Sequence, residues 1–419
     1  MALKPKLAES LLERGYSRRQ IAKIAMGAGA AMPFFNEFAL AQQAIQVQNN
    51  AGGGRGGGRG GSGGGRGGFG GGGGRGVYDP EMVVITSNEN PMGPCKEGLE
   101  ALIKVAPMGW RYGPQGDNQD FMGLLASTEN VPQNYVTAYP GSSIPLANVV
   151  PAFTSPTRSW VMGAPGYGNH ATAWLGNKSI PVPLRKDYSH DVEAMIKADP
   201  NAGAFYICNP NNPTGTLTPR KDLMYILDHK PKDAVLIIDE AYVHFSGPEN
   251  MSTDLVKADK DVVVLRTFSK IYGMAGLRAG AAYGRPDLLA RISQFGGTGF
   301  MPVTATACAA ASMKVGPSLM KERLGINKKN RDLAFEFLQK NGVRYIDSGT
   351  NFFMMEVKGM TGQQVGTAMR AHKVQIGRVW QEWPEMVRVT VGSWDEMTKF
   401  NAALGMVLKE GPPKMASAG

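Results

Sequence analysis

Cysteine and histidine are scarce in this sequence, which has three Cys and five His among 419 residues. Cys95, Cys208 and Cys308 are an odd number and lie far apart, and no pair of histidines has the spacing of metal ligands. These features argue against a metal site. One disulfide is possible if the chain works in an oxidising compartment, but we expect three buried thiols.

Acidic residues are missing from residues 42–76, where four Arg among many Gly contribute +4 to the formal charge of +10. Residues 1–41 contribute +3, from six Lys or Arg and three Glu, which leaves +3 for residues 77–419. So small a charge does not indicate that the rest of the chain binds nucleic acid. We expect residues 42–76 to be a disordered linker, because they have too few apolar side chains to offset their backbone entropy. An RNA-binding tract is the alternative.

Long apolar runs are also lacking, since the stretch 24–35 is diluted by Gly and Ala and is too short to span a membrane. It follows Ser17-Arg18-Arg19-Gln20-Ile21-Ala22-Lys23 and precedes the small-residue site Ala39-Leu40-Ala41. Together these segments resemble a twin-arginine export signal. The resemblance implies that residues 1–41 are a leader cleaved after Ala41, that a twin-arginine translocase is a partner, and that the chain is exported, for example to the periplasm. The alternative is an amphipathic helix with incidental arginines.

The rest of the chain has the pattern of an α/β protein. Apolar, often β-branched runs predict strands at 159–162, 203–208, 234–238, 262–265 and 279–283. Helix-like segments separate several of them, which favours a mostly parallel sheet with ligands at the strand ends.

A second, smaller α+β domain is predicted near the C-terminus. A helical stretch runs from about 304 to 340 with a break near Gly316-Pro317, and shorter strands and helices follow it. We therefore divide the globular part into an N-terminal arm with part of the small domain (77–110), a large domain (111–318) and a small domain (319–419).

Lys270 is the first candidate for chemistry, because it follows the apolar strand Val262-Val263-Val264-Leu265 within Arg266-Thr267-Phe268-Ser269-Lys270. A lysine at the end of a buried strand is costly unless its charge is used or removed, and one use is attack on a carbonyl to form a Schiff base. Arg278 lies beyond a Gly-rich bend and is placed to share the same pocket. Two such cations suit a ligand with an aldehyde and a phosphate.

Other strand ends carry further polar groups. Asn212 lies in the rigid turn Asn209-Pro210-Asn211-Asn212-Pro213, and Asp239 ends a buried strand where a carboxylate needs a cationic partner. Tyr242 follows three residues later. Upstream, Gly141, Ser142 and Ser143 precede a helix-like segment and form a candidate anion cradle. Tyr167 is placed to cover a planar ring, with a core tyrosine as the alternative.

Taken together, these motifs resemble fold-type-I, pyridoxal-phosphate-dependent aminotransferases of classes I and II, and most of all the histidinol-phosphate aminotransferases. The resemblance runs from about Val84 to the C-terminus and includes Ser87-Asn88-Glu89-Asn90-Pro91-Met92-Gly93-Pro94, Ser348-Gly349-Thr350-Asn351-Phe352 and Arg388-Val389-Thr390-Val391-Gly392.

The resemblance implies pyridoxal 5′-phosphate as cofactor and assigns a role to each residue. Lys270 binds the cofactor aldehyde and moves the proton, Asp239 keeps the ring nitrogen protonated, and Asn212 and Tyr242 hold the phenolic oxygen. Tyr167 stacks on the ring. The cofactor phosphate is assigned to Gly141, Ser142, Ser143, Thr267, Ser269 and Arg278, together with Tyr112 from the partner subunit of a homodimer. Substrate is assigned to Asn90, Asn351, Arg378 and Arg388, with Arg388 on the α-carboxylate.

The sequence departs from the family pattern at two positions. Ser143 stands where an acidic residue is usual, and the segment before Tyr167 lacks the usual Thr. Arg378 favours a phosphorylated or acidic substrate side chain, whereas Trp380 and Trp383 favour an aromatic pocket.

We therefore expect an aminotransferase that moves an amino group between an L-amino acid, or an amino-alcohol phosphate such as histidinol phosphate, and a 2-oxo acid such as 2-oxoglutarate. A decarboxylase or lyase on the same scaffold, resembling threonine-phosphate decarboxylase, is the alternative enzyme. An exported protein that binds through its Gly/Arg tract is the non-enzymatic alternative.

Overall fold

The structure is a computed structural model that describes residues 5–29, 79–113, 117–168, 170–296 and 301–412. The predicted cleavage site after Ala41 and the predicted linker 42–76 lie outside the described residues.

The helices of the described part are α1 (Pro5–Glu13), α2 (Arg18–Gly29), α3 (Lys96–Val105), α4 (Asp117–Thr128), α5 (Ser143–Phe153), α6 (His170–Leu175), α7 (Val192–Ala198), α8 (Arg220–His229), α9 (Thr253–Lys257), α10 (Pro286–Ser293), α11 (Val303–Val315), α12 (Pro317–Lys340), α13 (Gly362–Ala371) and α14 (Trp394–Glu410). Short 3₁₀ turns cover Ala106–Met108, Gln133–Tyr135, Val243–Phe245 and Pro248–Asn250. The strands are β1 (Val83–Ile85), β2 (Val136–Tyr139), β3 (Trp160–Ala164), β4 (Ser179–Pro183), β5 (Ala204–Cys208), β6 (Val235–Asp239), β7 (Val262–Thr267), β8 (Gly280–Gly284), β9 (Arg344–Tyr345), β10 (Phe352–Glu356), β11 (Val374–Ile376) and β12 (Met386–Thr390).

The central sheet has the order β2-β8-β7-β6-β5-β3-β4 among the described residues. Neighbours from β7 to β4 pair in parallel, and β8 runs antiparallel to both β2 and β7. Strands β5, β6 and β7 are buried along their whole length, which explains their continuous apolar sequences. The predicted mostly parallel α/β sheet is therefore confirmed.

The C-terminal part has its own core and a three-stranded antiparallel sheet of order β12-β10-β9. Gly316, with φ of +66°, separates α11 from α12 and Pro317 opens α12, so the predicted break in the long helix is confirmed. Two capping boxes, Thr361 with Gln364 and Ser393 with Glu396, begin α13 and α14. The short strands β1 and β11, which pair in parallel, were not predicted.

Helices α1 and α2 pack on the large sheet's helical layer. Leu11, Tyr16 and Ile24 are all at most 3% exposed and join the apolar cluster that contains Phe153 and Leu175. Residues 5–25 thus form helices with a buried apolar side, as the amphipathic-helix alternative expects. This packing does not exclude a targeting role.

The three cysteines all fall within the described ranges. Each is buried, and no disulfide joins any two of them. Within the same ranges, every helix falls short of the length or apolar content that a membrane crossing requires.

Candidate active site

One cavity of about 300 Å³ lies at the carboxyl ends of the parallel strands, within the size range of small-molecule sites. Its location follows from topology, because β5, β6 and β7 all end at this edge and deliver side chains to it. Ten residues singled out from the sequence line it: Ser142, Ser143, Tyr167, Asn212, Asp239, Tyr242, Thr267, Ser269, Lys270 and Arg278. Chain segments more than 130 residues apart therefore meet at one place.

Lys270 is buried at the end of the β7 segment. Its Nζ donates to the carbonyl of Ser87 at 3.1 Å and lies 5.5 Å from the centre of the Tyr242 ring. The Tyr242 hydroxyl accepts a hydrogen bond from Nδ2 of Asn88 at 3.0 Å. The amine thus faces the cavity beside a phenol whose direction is fixed by a second side chain.

Asp239 ends β6 and is 4% exposed. Burial raises the pKa of this carboxyl to about 6, although a hydrogen bond from the Tyr206 hydroxyl at 3.0 Å opposes the shift. Burial, reinforced by the Asp239 carboxylate, raises the pKa of Tyr206, which keeps this hydroxyl protonated as a donor. A buried carboxylate with these partners is suited to a cationic ring nitrogen.

The anion cradle forms around Arg278. Its Nη1 donates to Ser269 Oγ at 3.4 Å and its Nη2 to Ser143 Oγ at 3.3 Å, while Thr267 Oγ1 donates to Ser269 Oγ at 2.8 Å. The N-terminus of α5 opens at Ser143, where backbone N–H groups and the helix dipole favour an anion.

Gly141 closes the cradle, with φ of +86°. A Cβ at this position would lie 2.7 Å from Cζ of Arg278 and closer still to Nη2, so only glycine leaves the guanidinium in place. Arg278 itself has φ of 65°, in the left-handed region that non-glycine residues rarely occupy. Hydroxyls, a guanidinium and a helix N-terminus around a space kept open by glycine fit a phosphate group, and the whole donor set fits pyridoxal 5′-phosphate.

Arg388 and Asn351 lie in a layer next to the cavity. Arg388 donates from Nη1 to Asn212 Oδ1 at 2.7 Å and from Nη2 to the carbonyl of Thr86 at 2.8 Å. Asn351 Nδ2 donates to the carbonyl of Asn88 at 3.0 Å. Arg388 is 1% exposed, so its direction is set by these two acceptors.

Three other predicted site residues lie further out. Asn90 donates to the carbonyl of Ile271, next to Lys270, at 2.9 Å and does not line the cavity. The Arg378 guanidinium carbon lies 5.1 Å from the centre of the Trp380 ring, and the Arg388 guanidinium carbon lies 5.6 Å from the same point. Tyr112 is 83% exposed and lies outside the cavity of this single chain.

A buried charge network supports the two strand ends. Arg266 on β7 donates from Nε to Glu240 Oε2 at 2.8 Å and also pairs with Glu129. Glu240, next to Asp239, accepts in addition from the backbone N–H of Ser252 at 2.6 Å. The pairing locks β6 and β7 together directly behind Asp239 and Lys270, which limits how far these side chains move.

Sequence reasoning assigned no role to Asn88 or Tyr206, although each contacts a predicted site residue directly. Tyr206 stands two residues before Cys208 on β5 and therefore shares its face, so period-2 alternation could have placed both beside Asp239. In the sequence, Asn88 is one member of the motif at residues 87–94, which by itself singles out no role for it. Its φ of 53° and its buried contacts with Tyr242 and Thr390 show that it fixes the loop over the site.

The fold and the site define a pyridoxal-phosphate-dependent enzyme of fold type I. The chain belongs to the family described as aminotransferase class I and II, whose model matches residues 80–404. It is a pyridoxal-phosphate-dependent aminotransferase.

Individual relatives agree with this placement. The chain is 33% identical over 347 residues to histidinol-phosphate aminotransferase 1 of Cupriavidus pinatubonensis, covering 80% of this chain and 90% of the relative. It is 30% identical over 336 residues to an aromatic amino acid aminotransferase of Cutibacterium acnes, covering 78% and 93%. The crystal structure of histidinol-phosphate aminotransferase from Sinorhizobium meliloti with pyridoxal-5′-phosphate superimposes with a TM-score of 0.71, at 24% identity over 78% of this chain and 91% of that one. This last likeness supports the fold.

Proposed function

We propose that this aminotransferase uses Lys270 as its catalytic base, Arg388 to hold the substrate carboxylate, and Asp239, Asn212 and Arg278 to hold the cofactor. The single observation that carries the proposal is their arrangement: Lys270, Asp239, Asn212 and Arg278 surround one cavity, and Arg388 is hydrogen-bonded to Asn212. Each supplies a different interaction that transamination needs.

Bound pyridoxal 5′-phosphate supplies an electron sink that lowers the energy of negative charge at the amino acid Cα. Lys270 Nζ moves the proton at that carbon, with Tyr242 and the Ser87 carbonyl fixing the amine. Asp239 holds a proton on the ring nitrogen, and Asn212 and Tyr242 bind the phenolic oxygen. Tyr167, which lines the cavity, covers the ring face.

The cofactor phosphate binds in the cradle of Gly141, Ser142, Ser143, Thr267, Ser269 and Arg278. The substrate carboxylate is bound by Arg388, which lies next to the cavity and whose guanidinium is already oriented by two acceptors. The Trp380 ring has the guanidinium groups of both Arg378 and Arg388 nearby, at 5.1 and 5.6 Å from its centre, which combines an aromatic surface with positive charge. This suits a donor that carries a ring and an acidic group, as histidinol phosphate does through its imidazole and its phosphate. Because that donor has no carboxylate, Arg388 then binds the carboxylate of the acceptor, a 2-oxo acid such as 2-oxoglutarate.

A homodimer completes the proposal. Exposed apolar side chains cluster on α3 and the segment after it: Leu99, Ile103, Met108, Trp110 and Tyr112. Monomeric surfaces rarely expose so many large apolar groups together, which supports an interface here. In that dimer, Tyr112 reaches the phosphate cradle of the partner.

Export through a twin-arginine translocase is the last part of the proposal. Arg18 and Arg19 are exposed at the start of α2, where a translocase can reach them. A cofactor enzyme that folds and loads before export suits this route.

The test is a set of single half-reactions on the purified holoenzyme. Amino donors, including histidinol phosphate, phenylalanine, tyrosine and glutamate, are mixed with enzyme, and conversion of the cofactor to pyridoxamine phosphate is followed by absorbance. Ring-bearing donors should convert the cofactor stoichiometrically, and 2-oxoglutarate should reverse the change. Release of CO₂ without pyridoxamine phosphate would instead support the decarboxylase alternative and overturn the proposal.

A further inference from the structure

The N-terminal hairpin, residues 5–25 of α1 and α2, is bound to a specific surface of the large domain. Its three buried side chains, Leu11, Tyr16 and Ile24, are 0%, 2% and 3% exposed. They join one apolar cluster with residues of α5 and α6. Contact of this completeness is typical of a docked element and removes most of its apolar face from water.

Polar contacts make the docking specific. The Tyr16 hydroxyl donates to the carbonyl of Thr154 at 2.8 Å and accepts from Nδ2 of Asn177 at 2.8 Å. Asn177 Nδ2 also donates to Thr154 Oγ1 at 2.9 Å. Because a buried hydroxyl without partners is costly, this surface is matched to a tyrosine at this position.

The hairpin also donates hydrogen bonds to backbone carbonyl groups at the carboxyl ends of two helices. Arg14 donates to the carbonyls of Pro151 and Thr154, each at 2.7 Å, at the end of α5. Gln20 donates to the carbonyl of Leu175 at 2.7 Å and Lys23 to that of Trp174 at 2.8 Å, at the end of α6. Positive charge is favourable at helix carboxyl ends, where carbonyls lack intrahelical partners.

The docked hairpin exposes the two arginines of the export motif and buries Ile24, the first residue of the apolar stretch that follows them. Ser17 caps α2 through a reciprocal pair of hydrogen bonds with Gln20, and Arg18 and Arg19 point into solvent. Ile24, the start of the apolar stretch after the arginines, is buried on the enzyme. The acceptors lie more than 130 residues away along the chain, so the docking surface exists only when the large domain has folded.

We propose that residues 5–25 are a latch that docks on the folded large domain, with Arg18 and Arg19 exposed and the apolar side chains Leu11, Tyr16 and Ile24 covered, and that this docking restrains export. The latch rests on the proposed export by a twin-arginine translocase. Release of residues 5–25 from the enzyme exposes these apolar side chains. Only the released fraction of the protein is competent for capture by the translocase, so docking slows export.

Hydrogen exchange followed by mass spectrometry on the full-length holoenzyme tests docking directly. Amides of residues 9–14 and 20–25 should exchange at least about 100-fold more slowly than an unstructured chain. Tyr16→Ala should remove this protection and leave the amides of β5 and β6 unchanged. Tyr16→Phe, which keeps the ring, should give a smaller loss. Rapid exchange of these amides in the wild-type protein would overturn the latch.

Export is measured on the same proteins in a bacterium that has the translocase. Tyr16→Ala should reach the periplasm several-fold faster than the wild type. The control, Arg18→Lys with Arg19→Lys, should keep full protection and lose export. Equal export of wild type and Tyr16→Ala, with protection lost in the variant, would overturn the latch alone. Absence of export in every protein would overturn the export proposal, and the exchange result would still report docking.

Discussion

The Tyr206 hydroxyl donates to Oδ2 of Asp239 at 3.0 Å, so the carboxylate at the end of β6 is held by a phenol from the neighbouring strand β5. The second carboxylate oxygen accepts from the backbone N–H of Ala241 at 3.1 Å. Both hydrogen bonds favour the charged form of this carboxyl group, whereas burial disfavours the charged form. The balance leaves the pKa of Asp239 at about 6.

Tyr206→Phe should raise the pKa of Asp239 further, because it removes a hydrogen bond that favours the carboxylate. Tight binding of pyridoxamine phosphate to the apoenzyme requires the charged form of Asp239. In the variant, the pH at which binding is half-maximal should therefore move upward by about half a pH unit or more. Binding is measured by tryptophan fluorescence between pH 5 and 8. The phosphate of the ligand titrates in the same range, so the difference between the two proteins decides the test. Coincident curves would contradict the coupling.

Asp239→Asn should stabilise the apoenzyme at pH 8 and abolish activity. The folded-state pKa of about 6 exceeds the ordinary value of 3.8, so the wild-type apoenzyme loses stability as pH rises between these values and remains less stable above them. The variant avoids that loss, which amounts to about 1–3 kcal/mol. Urea unfolding at pH 8 and pH 4 measures it, and the gain should shrink towards zero at pH 4. An equal gain at both pH values would contradict the electrostatic explanation.

Arg388→Lys should lower kcat/KM for amino donors roughly 10- to 150-fold, because a single ammonium cannot keep the contacts to Asn212 and Thr86 and also present a fork to a carboxylate. The absorbance of the bound cofactor should change little. The matched control is Arg344→Lys on β9 of the same small sheet, where the arginine is 60% exposed and paired with Glu356. That control should retain wild-type kinetics. Equal losses of kcat/KM in both variants would contradict the assignment of Arg388 to the substrate carboxylate.

Gly141→Ala should weaken binding of pyridoxal 5′-phosphate at least about tenfold, since the new methyl group displaces the Arg278 guanidinium from the cradle. Equilibrium dialysis of the apoenzyme gives the affinity. Gly342→Ala is the control, because Gly342 has φ of +65° with nothing within 4 Å of a new Cβ. It should cost stability through backbone strain of about 1–3 kcal/mol without affecting cofactor affinity.

Lys270→Ala should eliminate the characteristic absorbance of the bound cofactor and lower turnover by at least about 1,000-fold, because both the covalent attachment and the base are lost. Lys230→Ala is the control, a lysine whose side chain is only 5% exposed and pairs with Asp261 away from the cavity. It should retain the spectrum. Full turnover by Lys270→Ala would contradict the proposed base.

Local sequence was enough to predict the strands that carry the site, because β6 and β7 each begin with four consecutive Val, Ile or Leu residues, a pattern typical of a strand buried on both faces. It was also enough to predict the break at Gly316. The strands β1, β2, β4, β9 and β11 were missed, since they are short or partly exposed and lack a strong period. Roles for Asn88 and Tyr206 were missed because their importance lies in partners distant along the chain.

The sequence by itself determined the chemical groups, since Lys270, Asp239, Asn212 and Arg278 each stand in a short motif whose residue types suit one part of a phosphorylated aldehyde cofactor. Tertiary structure alone decided which groups touch: that Arg388 bonds to Asn212, that Tyr206 restrains Asp239, and that Tyr16 docks beside Thr154. The physical reason is that motifs arise from local backbone and side-chain preferences, whereas these contacts depend on sheet order and packing between segments that lie from 33 to 176 residues apart.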